Sequence, residues 1–194
     1  AIRRDGWCEP RALGSLPGFG DTTIGLIGAG RIAQGLARRL RPFGFEVLAY
    51  DPYAQPQAAH EAGIELVGLP DLLARAHAVS LHVPVTEETR QLVGERFLQQ
   101  LRRGAVLVNT SRGGLVDERA LADSLAGGHL AAAALDVFDP EPLAADSPLR
   151  RLRNVIFTPH AAFYSDDSVM ALQRLATEEA GRALAGEPLR CRVA

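Results

Sequence analysis

Short apolar runs alternate with stretches of helical periodicity along most of the chain. The apolar runs predict seven strands: Thr23–Ile27, Val47–Tyr50, Ile64–Val67, Val79–Leu81, Ala105–Asn109, Ala132–Asp136 and Val155–Thr158. Several of them are almost continuously apolar, which is typical of parallel strands covered on both faces. The alternation predicts βαβ units and therefore an α/β fold, a doubly wound parallel sheet.

Helical periodicity lies between these runs. Ile32, Leu36 and Leu40 recur at every fourth position, and Pro70 with Asp71 begins a second apolar helix. A long helix is predicted over residues 165–185, with Ser165 as its N-cap and Gly186 as its stop. One doubly wound domain, residues 21–186, accounts for nearly the whole chain.

Composition restricts the classes of function. The chain has 194 residues, is 47% hydrophobic and carries a net charge of −2, which argues against a direct nucleic-acid partner because phosphate binding needs clustered cations. No apolar run is long enough to cross a membrane. Cys8 and Cys191 lack metal-ligand spacing, so no metal site is expected, and two free thiols in a reducing cytoplasm are favoured over a disulfide.

A glycine-rich turn follows the first predicted strand. Gly28 to Ala33 fits the pattern G-x-G-x-x-G/A. Gly28 permits a tight turn, Gly30 allows the backbone to approach a pyrophosphate, and Ala33 allows close packing of helix on strand. Alone, such a motif is also compatible with a turn that binds no ligand.

The residue that ends the second strand strengthens the interpretation. Asp51 lies 21 residues after Gly30, where the ribose-binding acid of NAD proteins belongs. A carboxylate there accepts hydrogen bonds from ribose hydroxyls and repels a 2′-phosphate. The chain is therefore predicted to be a Rossmann-type NAD-binding domain, and an NADPH-dependent glyoxylate or hydroxypyruvate reductase is the less favoured reading.

Three polar residues follow the carboxyl ends of later strands. They are Arg112, Glu141 and His160, and each has an ordinary alternative as a solvated loop cation, a surface acid or a helix-terminus histidine. Ligands of open α/β sheets bind at this edge, so one crevice is expected to bring the three together. His60, His77 and His129 match no motif and are predicted to be surface residues.

These residue types suit hydride transfer to or from a 2-hydroxy acid. A histidine can exchange the hydroxyl proton near neutral pH, and a carboxylate beside its second nitrogen raises its pKa. A guanidinium can bind the substrate carboxylate through two parallel hydrogen bonds.

The chain resembles the D-isomer-specific 2-hydroxyacid dehydrogenase family over essentially its whole length. The matching stretches are residues 25–33, 50–52, 81–89, 107–117, 134–142 and 158–165. The resemblance implies that Arg112, Glu141 and His160 are catalytic. It also implies NAD contacts from Gly28, Gly30, Arg31, Ile32, Asp51, Val83, Pro84, Thr110, Ser111 and Asp136, with Asp136 holding the nicotinamide amide. His82 has two open interpretations, a cofactor-side contact or packing.

Within that family the chain is most similar to the C-terminal-binding-protein branch, on residues 51–53 and 160–165. That branch includes NAD-sensing transcriptional corepressors, which carry Trp where this chain has Phe163. An NAD-gated interaction protein of the corepressor kind is therefore the alternative to the enzyme.

The resemblance also predicts the domain organisation. Residues 1–20 are expected to be an interdomain connection, and residues 187–194 the start of a return to a substrate domain that is largely absent. The chain begins at Ala1 without an initiator Met, which is typical of a fragment or a processed polypeptide. A homodimer is expected, and the isolated chain is expected to bind NAD but to turn over poorly.

Overall fold

The structure is a computed structural model that describes Gly6, Trp7, Glu9 and residues 18–190. Most of the predicted interdomain connection (1–20), both cysteines and residues 191–194 lie outside the described residues. The chain divides into two compact units, residues 1–158 and residues 159–194. Each unit is described by itself.

The first unit contains one parallel sheet with helices between its strands. The strands are β1 (Thr23–Ile27), β2 (Glu46–Tyr50), β3 (Glu65–Leu66), β4 (Ala78–Leu81), β5 (Val106–Asn109), β6 (Ala132–Leu135) and β7 (Val155–Phe157). The α-helices are α1 (Arg31–Leu40), α2 (Pro56–Glu61), α3 (Leu69–Arg75), α4 (Glu95–Gln100) and α5 (Glu118–Ala126). All seven predicted strands are confirmed, and no strand end differs from its prediction by more than one residue.

The strand order is β3-β2-β1-β4-β5-β6-β7, and every neighbouring pair is parallel. The order reverses between β1 and β4, which creates the topological switch point at which such sheets bind ligands. Ile27, the last residue of β1, is in register with both Tyr50 and Leu81. Three strands therefore end at one level, and their following loops start side by side.

Two apolar layers cover the faces of the sheet. One contains Leu72, Leu81, Leu107 and Leu121, each with no exposed surface. The other contains Leu26 and the α1 alanines Ala33 and Ala37. Because these alanines are small, α1 packs closely on the strands, which confirms the packing predicted for Ala33.

The structure adds two features that periodicity did not predict. Helix α2 has only six residues, too few for a helical pattern to be distinguished from a loop. His60 is exposed, whereas His77 and His129 are only partly exposed and make hydrogen bonds with the main chain. The Nδ1 atom of His77 accepts a hydrogen bond from the Thr23 N–H (3.1 Å), and it therefore pairs a donor at the start of β1.

The second unit consists mainly of α6 (Asp166–Leu184). The Ser165 hydroxyl oxygen accepts a hydrogen bond from the Ser168 N–H at 3.1 Å, and Gly186 has a φ of +70° just past the helix end. Both predicted helix limits are therefore confirmed. Among the described residues, no helix combines the length and apolar character that a membrane span requires.

Candidate cofactor and active site

The turn after β1 is fixed by close approach of main chain to main chain. Gly28 has a φ of +97°, and a Cβ at this position would lie 2.7 Å from the His82 carbonyl oxygen. Its N–H donates a hydrogen bond to the Tyr50 carbonyl (2.9 Å). Only glycine satisfies both the backbone angle and the available space, so the turn is held between the ends of β2 and β4.

Helix α1 begins directly after this turn. Gly30 is its N-cap, and a Cβ on Gly30 would meet no protein atom within 4 Å. The first N–H groups of the helix have no intrahelical acceptors, and the helix dipole is positive at this end. Open space beside such N–H groups suits a phosphate, which is what the pattern of glycines predicted. Ile32, in the first turn, is 74% exposed.

Asp51 connects the end of β2 to the turn. One carboxylate oxygen accepts a hydrogen bond from the Ala29 N–H (2.9 Å), and the other accepts one from the Tyr53 N–H (2.8 Å). Each carboxylate oxygen has more than one lone pair, so these bonds leave acceptor capacity for ribose hydroxyls. The predicted ribose acid therefore also orients the glycine-rich turn.

A cavity of about 830 Å³ opens at this edge of the sheet. Four of the predicted cofactor residues line it, namely Gly30, Asp51, Val83 and Pro84. The remaining lining residues are Ile27, Tyr50, Pro52, Tyr53, His82, Thr86, Glu87, Glu88, Thr89 and Leu92. Its volume is in the range of cofactor sites, so the residues present fit a dinucleotide.

His82 lines the cavity as well. Its Nε2 atom is buried and has no hydrogen-bond partner among the described residues. Burial lowers the pKa of His82 below the ordinary 6.5, which favours the neutral imidazole. His82 therefore lies in the wall of the cavity. This position is compatible with both interpretations that the sequence left open, a cofactor-side contact and packing.

The loop after β5 carries Arg112 and is shaped by the side chain of Asn109. Asn109 is fully buried; its amide nitrogen donates to the Arg112 carbonyl (2.9 Å), and its amide oxygen accepts from the Ser111 N–H (3.0 Å). The exposed guanidinium of Arg112 donates to the Ser111 carbonyl at 2.7 Å. Thr110 is exposed and Ser111 half-buried in the same turn.

The loop after β6 carries Asp136 and Glu141. Asp136 is almost fully buried, and its carboxylate accepts a hydrogen bond from the Thr158 hydroxyl. Glu141 is exposed, and its Oε1 accepts a hydrogen bond from the Phe138 N–H (3.0 Å). The carboxylate of Glu141 is therefore folded back onto the main chain of its own loop.

Gly113 brings these two loops into contact. A Cβ on Gly113 would lie 1.9 Å from the carbonyl carbon of Phe138 and 2.6 Å from the Asp139 nitrogen. No side chain fits at this distance, so Gly113 packs its Cα directly on the Phe138–Asp139 peptide. Arg112 and Glu141 accordingly belong to adjoining loops of the first unit.

His160 belongs to the second unit. It is exposed, has a φ of +53°, and its ring contacts that of Phe163 edge-on with 6.3 Å between centroids. A positive φ is uncommon for a residue other than glycine and is found preferentially at functional positions. The approach of His160 to Glu141 stays a prediction, because the two residues lie in different units.

Sequence reasoning missed three residues that shape the site. Asn109 could have been found, because an Asn at a strand end favours a turn in which its side chain bonds the following backbone. Gly113 and Glu118 could not, because their partners Phe138, Asp139 and Ser147 lie more than 20 residues further along the chain.

Comparison with known proteins identifies the family. Residues 1–162 match the model of the D-isomer specific 2-hydroxyacid dehydrogenase, NAD binding domain, and the chain belongs to this family. The resemblance that the motifs indicated is therefore confirmed, as is NAD as the cofactor of this domain.

Three relatives illustrate the similarity. D-3-phosphoglycerate dehydrogenase of Mycobacterium bovis is 47% identical over 165 residues, which is 85% of this chain and 31% of the relative. Glyoxylate reductase of Korarchaeum cryptofilum is 44% identical over 156 residues, 80% of this chain and 47% of the relative. The structure of D-lactate dehydrogenase with NAD⁺ from Lactobacillus jensenii superimposes with a TM-score of 0.86 at 29% identity, covering 100% of this chain and 61% of that one.

The chain thus spans about a third to two thirds of the length of these three proteins. Each of them is a dehydrogenase or a reductase, and the comparisons give no support to the corepressor-like alternative.

Proposed function

We propose that the protein is an NAD-dependent oxidoreductase that interconverts a D-2-hydroxy acid and a 2-keto acid. One observation carries the proposal. The loops bearing Arg112 and Glu141 adjoin one another at the carboxyl edge of a sheet whose NAD-binding turn lies at the same edge. Because the chain belongs to a family of dehydrogenases, a guanidinium and a carboxylate at that place are expected to serve hydride transfer.

Arg112 binds the substrate in this proposal. Its guanidinium is exposed, permanently charged and held on a turn that the buried Asn109 side chain fixes. A planar guanidinium pairs with a carboxylate through two parallel hydrogen bonds, and it also polarises the carbonyl of a 2-keto acid. The substrate is thereby oriented with its reacting carbon toward the cofactor.

His160 and Glu141 exchange the proton. His160 takes the proton of the substrate hydroxyl during oxidation and returns it to the carbonyl oxygen during reduction. Glu141 orients the imidazole and favours its protonated form. Bound NAD supplies the hydride acceptor, and NADH the donor.

The cofactor is held by the turn and the cavity wall. Gly28, Gly30, Arg31 and Ile32 form the phosphate side, and Asp51 binds the adenosine ribose. Val83 and Pro84 lie beside the adenosine, while Thr110, Ser111 and Asp136 surround the nicotinamide.

We further infer the context of this domain. Residues 21–186 form the dinucleotide-binding domain, residues 1–20 connect it to a substrate domain, and residues 187–194 return toward that domain. The protein acts as a homodimer in the cytoplasm, on a small organic acid and without nucleic acid.

Reduction of 2-keto acids by the full-length protein with NADH tests the proposal. The relatives select the panel: glyoxylate, pyruvate and the keto acid formed by oxidising D-3-phosphoglycerate. Activity is expected on at least one of them, and His160→Gln is expected to reduce turnover by about 100-fold or more, the lower end of acid–base contributions. No activity on any 2-keto acid would refute the proposed reaction, and near-normal turnover of the variant would refute the role of His160.

A further inference from the structure

The loop that carries Glu141 is held at two points by one carboxylate. Glu118 is the first residue of α5, and its Oε1 accepts a hydrogen bond from the Asp139 N–H (3.3 Å). Its Oε2 accepts one from the hydroxyl of Ser147 (3.3 Å). Ser147 is 6% exposed. Glu118 therefore spans the loop from two residues before Glu141 to six residues after it.

These contacts lie one residue away from the main-chain N–H that binds the carboxylate of Glu141. The Phe138–Asp139 peptide is held on its N–H by Glu118 and on its face by Gly113. The N–H of the preceding residue, Phe138, donates to Oε1 of Glu141 (3.0 Å). Successive N–H groups of this loop thus serve two carboxylates. Displacing Glu118 therefore shifts the Phe138–Asp139 peptide and, through Phe138, the adjoining N–H from which Glu141 takes its orientation.

Two other polar contacts of the loop do not attach it to the helix layer. Arg90 approaches the Asp139 carboxylate only to 3.9 Å, and both side chains are more than half exposed, so water screens the pair. The Ser147 N–H donates to the Ala144 carbonyl within the loop itself, which fixes the loop internally but not against the sheet. Glu118 in contrast connects the loop to the first turn of α5 at two points.

We propose that Glu118 is a positioning residue for the reaction. It holds the Asp139 N–H, sets the orientation of Glu141 through the neighbouring Phe138 N–H, and thereby controls how strongly Glu141 supports the catalytic histidine. The inference rests on the proposed function. Glu118 touches neither substrate nor cofactor in this assignment, and it acts only through Glu141.

The test compares Glu118→Ala, Glu118→Gln and Glu141→Gln in the full-length enzyme, by steady-state reduction of a 2-keto acid with NADH. Glu118→Ala is expected to lower kcat about 10-fold with KM for the keto acid nearly unchanged, because a misplaced Glu141 slows the chemical step without changing how the substrate is bound. Glu118→Gln keeps an acceptor for the Asp139 N–H and should remain within about twofold of the parent.

Two further measurements separate positioning from general structure. In the Glu141→Gln background, Glu118→Ala should have almost no additional effect, since a residue that acts only through Glu141 has nothing left to act on. Glu95→Ala is the matched control: Glu95 is also the first residue of a helix, but its carboxylate accepts a hydrogen bond from Gln99 of the same helix, so the variant should leave kcat and KM unchanged. Ser147→Ala, which removes one of the two contacts, should give the same change at smaller size if Glu118→Ala does not fold.

The outcomes are distinguishable. If the parent enzyme reduces 2-keto acids but the Glu118→Ala loss persists in the Glu141→Gln background, or appears in KM and not in kcat, the inference is wrong and the proposed reaction stands. If the parent enzyme reduces none of them, the proposed reaction fails and the inference falls with it.

Discussion

The turn after β1 and the loops after β5 and β6 lie at the same edge of the sheet but are held in different ways. The turn is shaped by close approach of main chain, with Gly28 against the His82 carbonyl, and by the Asp51 carboxylate on the Ala29 N–H. The loop after β5 is fixed locally by Asn109, but Gly113 also packs it on the next loop, and the loop after β6 is held by Glu118 of α5. A few residues at fixed spacing therefore define the cofactor turn, whereas the later loops depend also on contacts between residues that are distant in sequence.

The largest expected effect comes from separating the loops after β5 and β6. Gly113→Ala places a methyl group 1.9 Å from the Phe138 carbonyl carbon, so the loops must move apart. We expect a loss of about 3 kcal/mol in the free energy of unfolding, measured by urea denaturation. Gly114→Ala is the control, because its Cβ would meet the mobile end of the Asp139 side chain at 3.1 Å. Equal losses for the two variants would contradict the contact described here.

The next prediction distinguishes the effect of the turn glycines on stability from their effect on NAD binding. Gly28→Ala strains a residue at φ +97° and crowds the His82 carbonyl, so it should cost about 2 kcal/mol of stability and weaken NAD binding. Gly30→Ala meets no protein atom and should leave the free energy of unfolding within about 0.5 kcal/mol of the parent. Its NAD affinity should nevertheless fall about 10-fold, because the methyl group occupies space that the pyrophosphate approaches. Unchanged NAD binding by Gly30→Ala would show that the phosphates lie elsewhere.

A smaller effect is expected on the choice of nucleotide. Asp51→Asn keeps one acceptor for the Ala29 N–H but removes the charge that disfavours a 2′-phosphate. Affinity for NAD should fall about 10-fold and the preference of NAD over NADP should narrow, as measured by fluorescence titration with each reduced nucleotide. If the ratio of NAD to NADP affinity is the same in the variant as in the parent, Asp51 does not determine the choice of cofactor.

The smallest effect concerns pH. Burial lowers the pKa of His77, helped by the charge of Arg102, and burial lowers the pKa of His82. Below the ordinary value of 6.5, these two histidines therefore bind more protons in the unfolded chain than in the folded chain. Their contribution to the free energy of unfolding is fully present above about pH 6.5 and decreases as the pH falls. His77→Asn, whose amide oxygen can replace Nδ1 as acceptor for the Thr23 N–H, should reduce that decrease in urea unfolding between pH 8 and pH 5. A steeper decrease in the variant would contradict this origin.

The sheet could be predicted in outline because its determinants are local. Continuous apolar runs identified seven strands, and the distance from Gly30 to Asp51 identified the cofactor edge. Helix α2 escaped prediction because six residues give too little periodicity. The roles of Gly113 and Glu118 could not be predicted, because the atoms that contact them belong to a loop more than 20 residues further along the chain. Only the folded arrangement of β5, α5 and β6 brings these residues together. The sequence pattern therefore predicted which loops carry the candidate residues, whereas the contacts that fix those loops could be seen only in the structure.

The cavity beside the glycine-rich turn is lined entirely by residues between Ile27 and Leu92, while the loops with Arg112 and Glu141 follow later in the chain. Under the proposed function, mutations that alter nucleotide preference and mutations that alter the binding of the organic acid therefore fall on separate stretches of the gene. Recombination between relatives at a point such as Glu95, the start of α4, would then exchange the cavity of one parent while keeping the loops after β5 and β6 of the other.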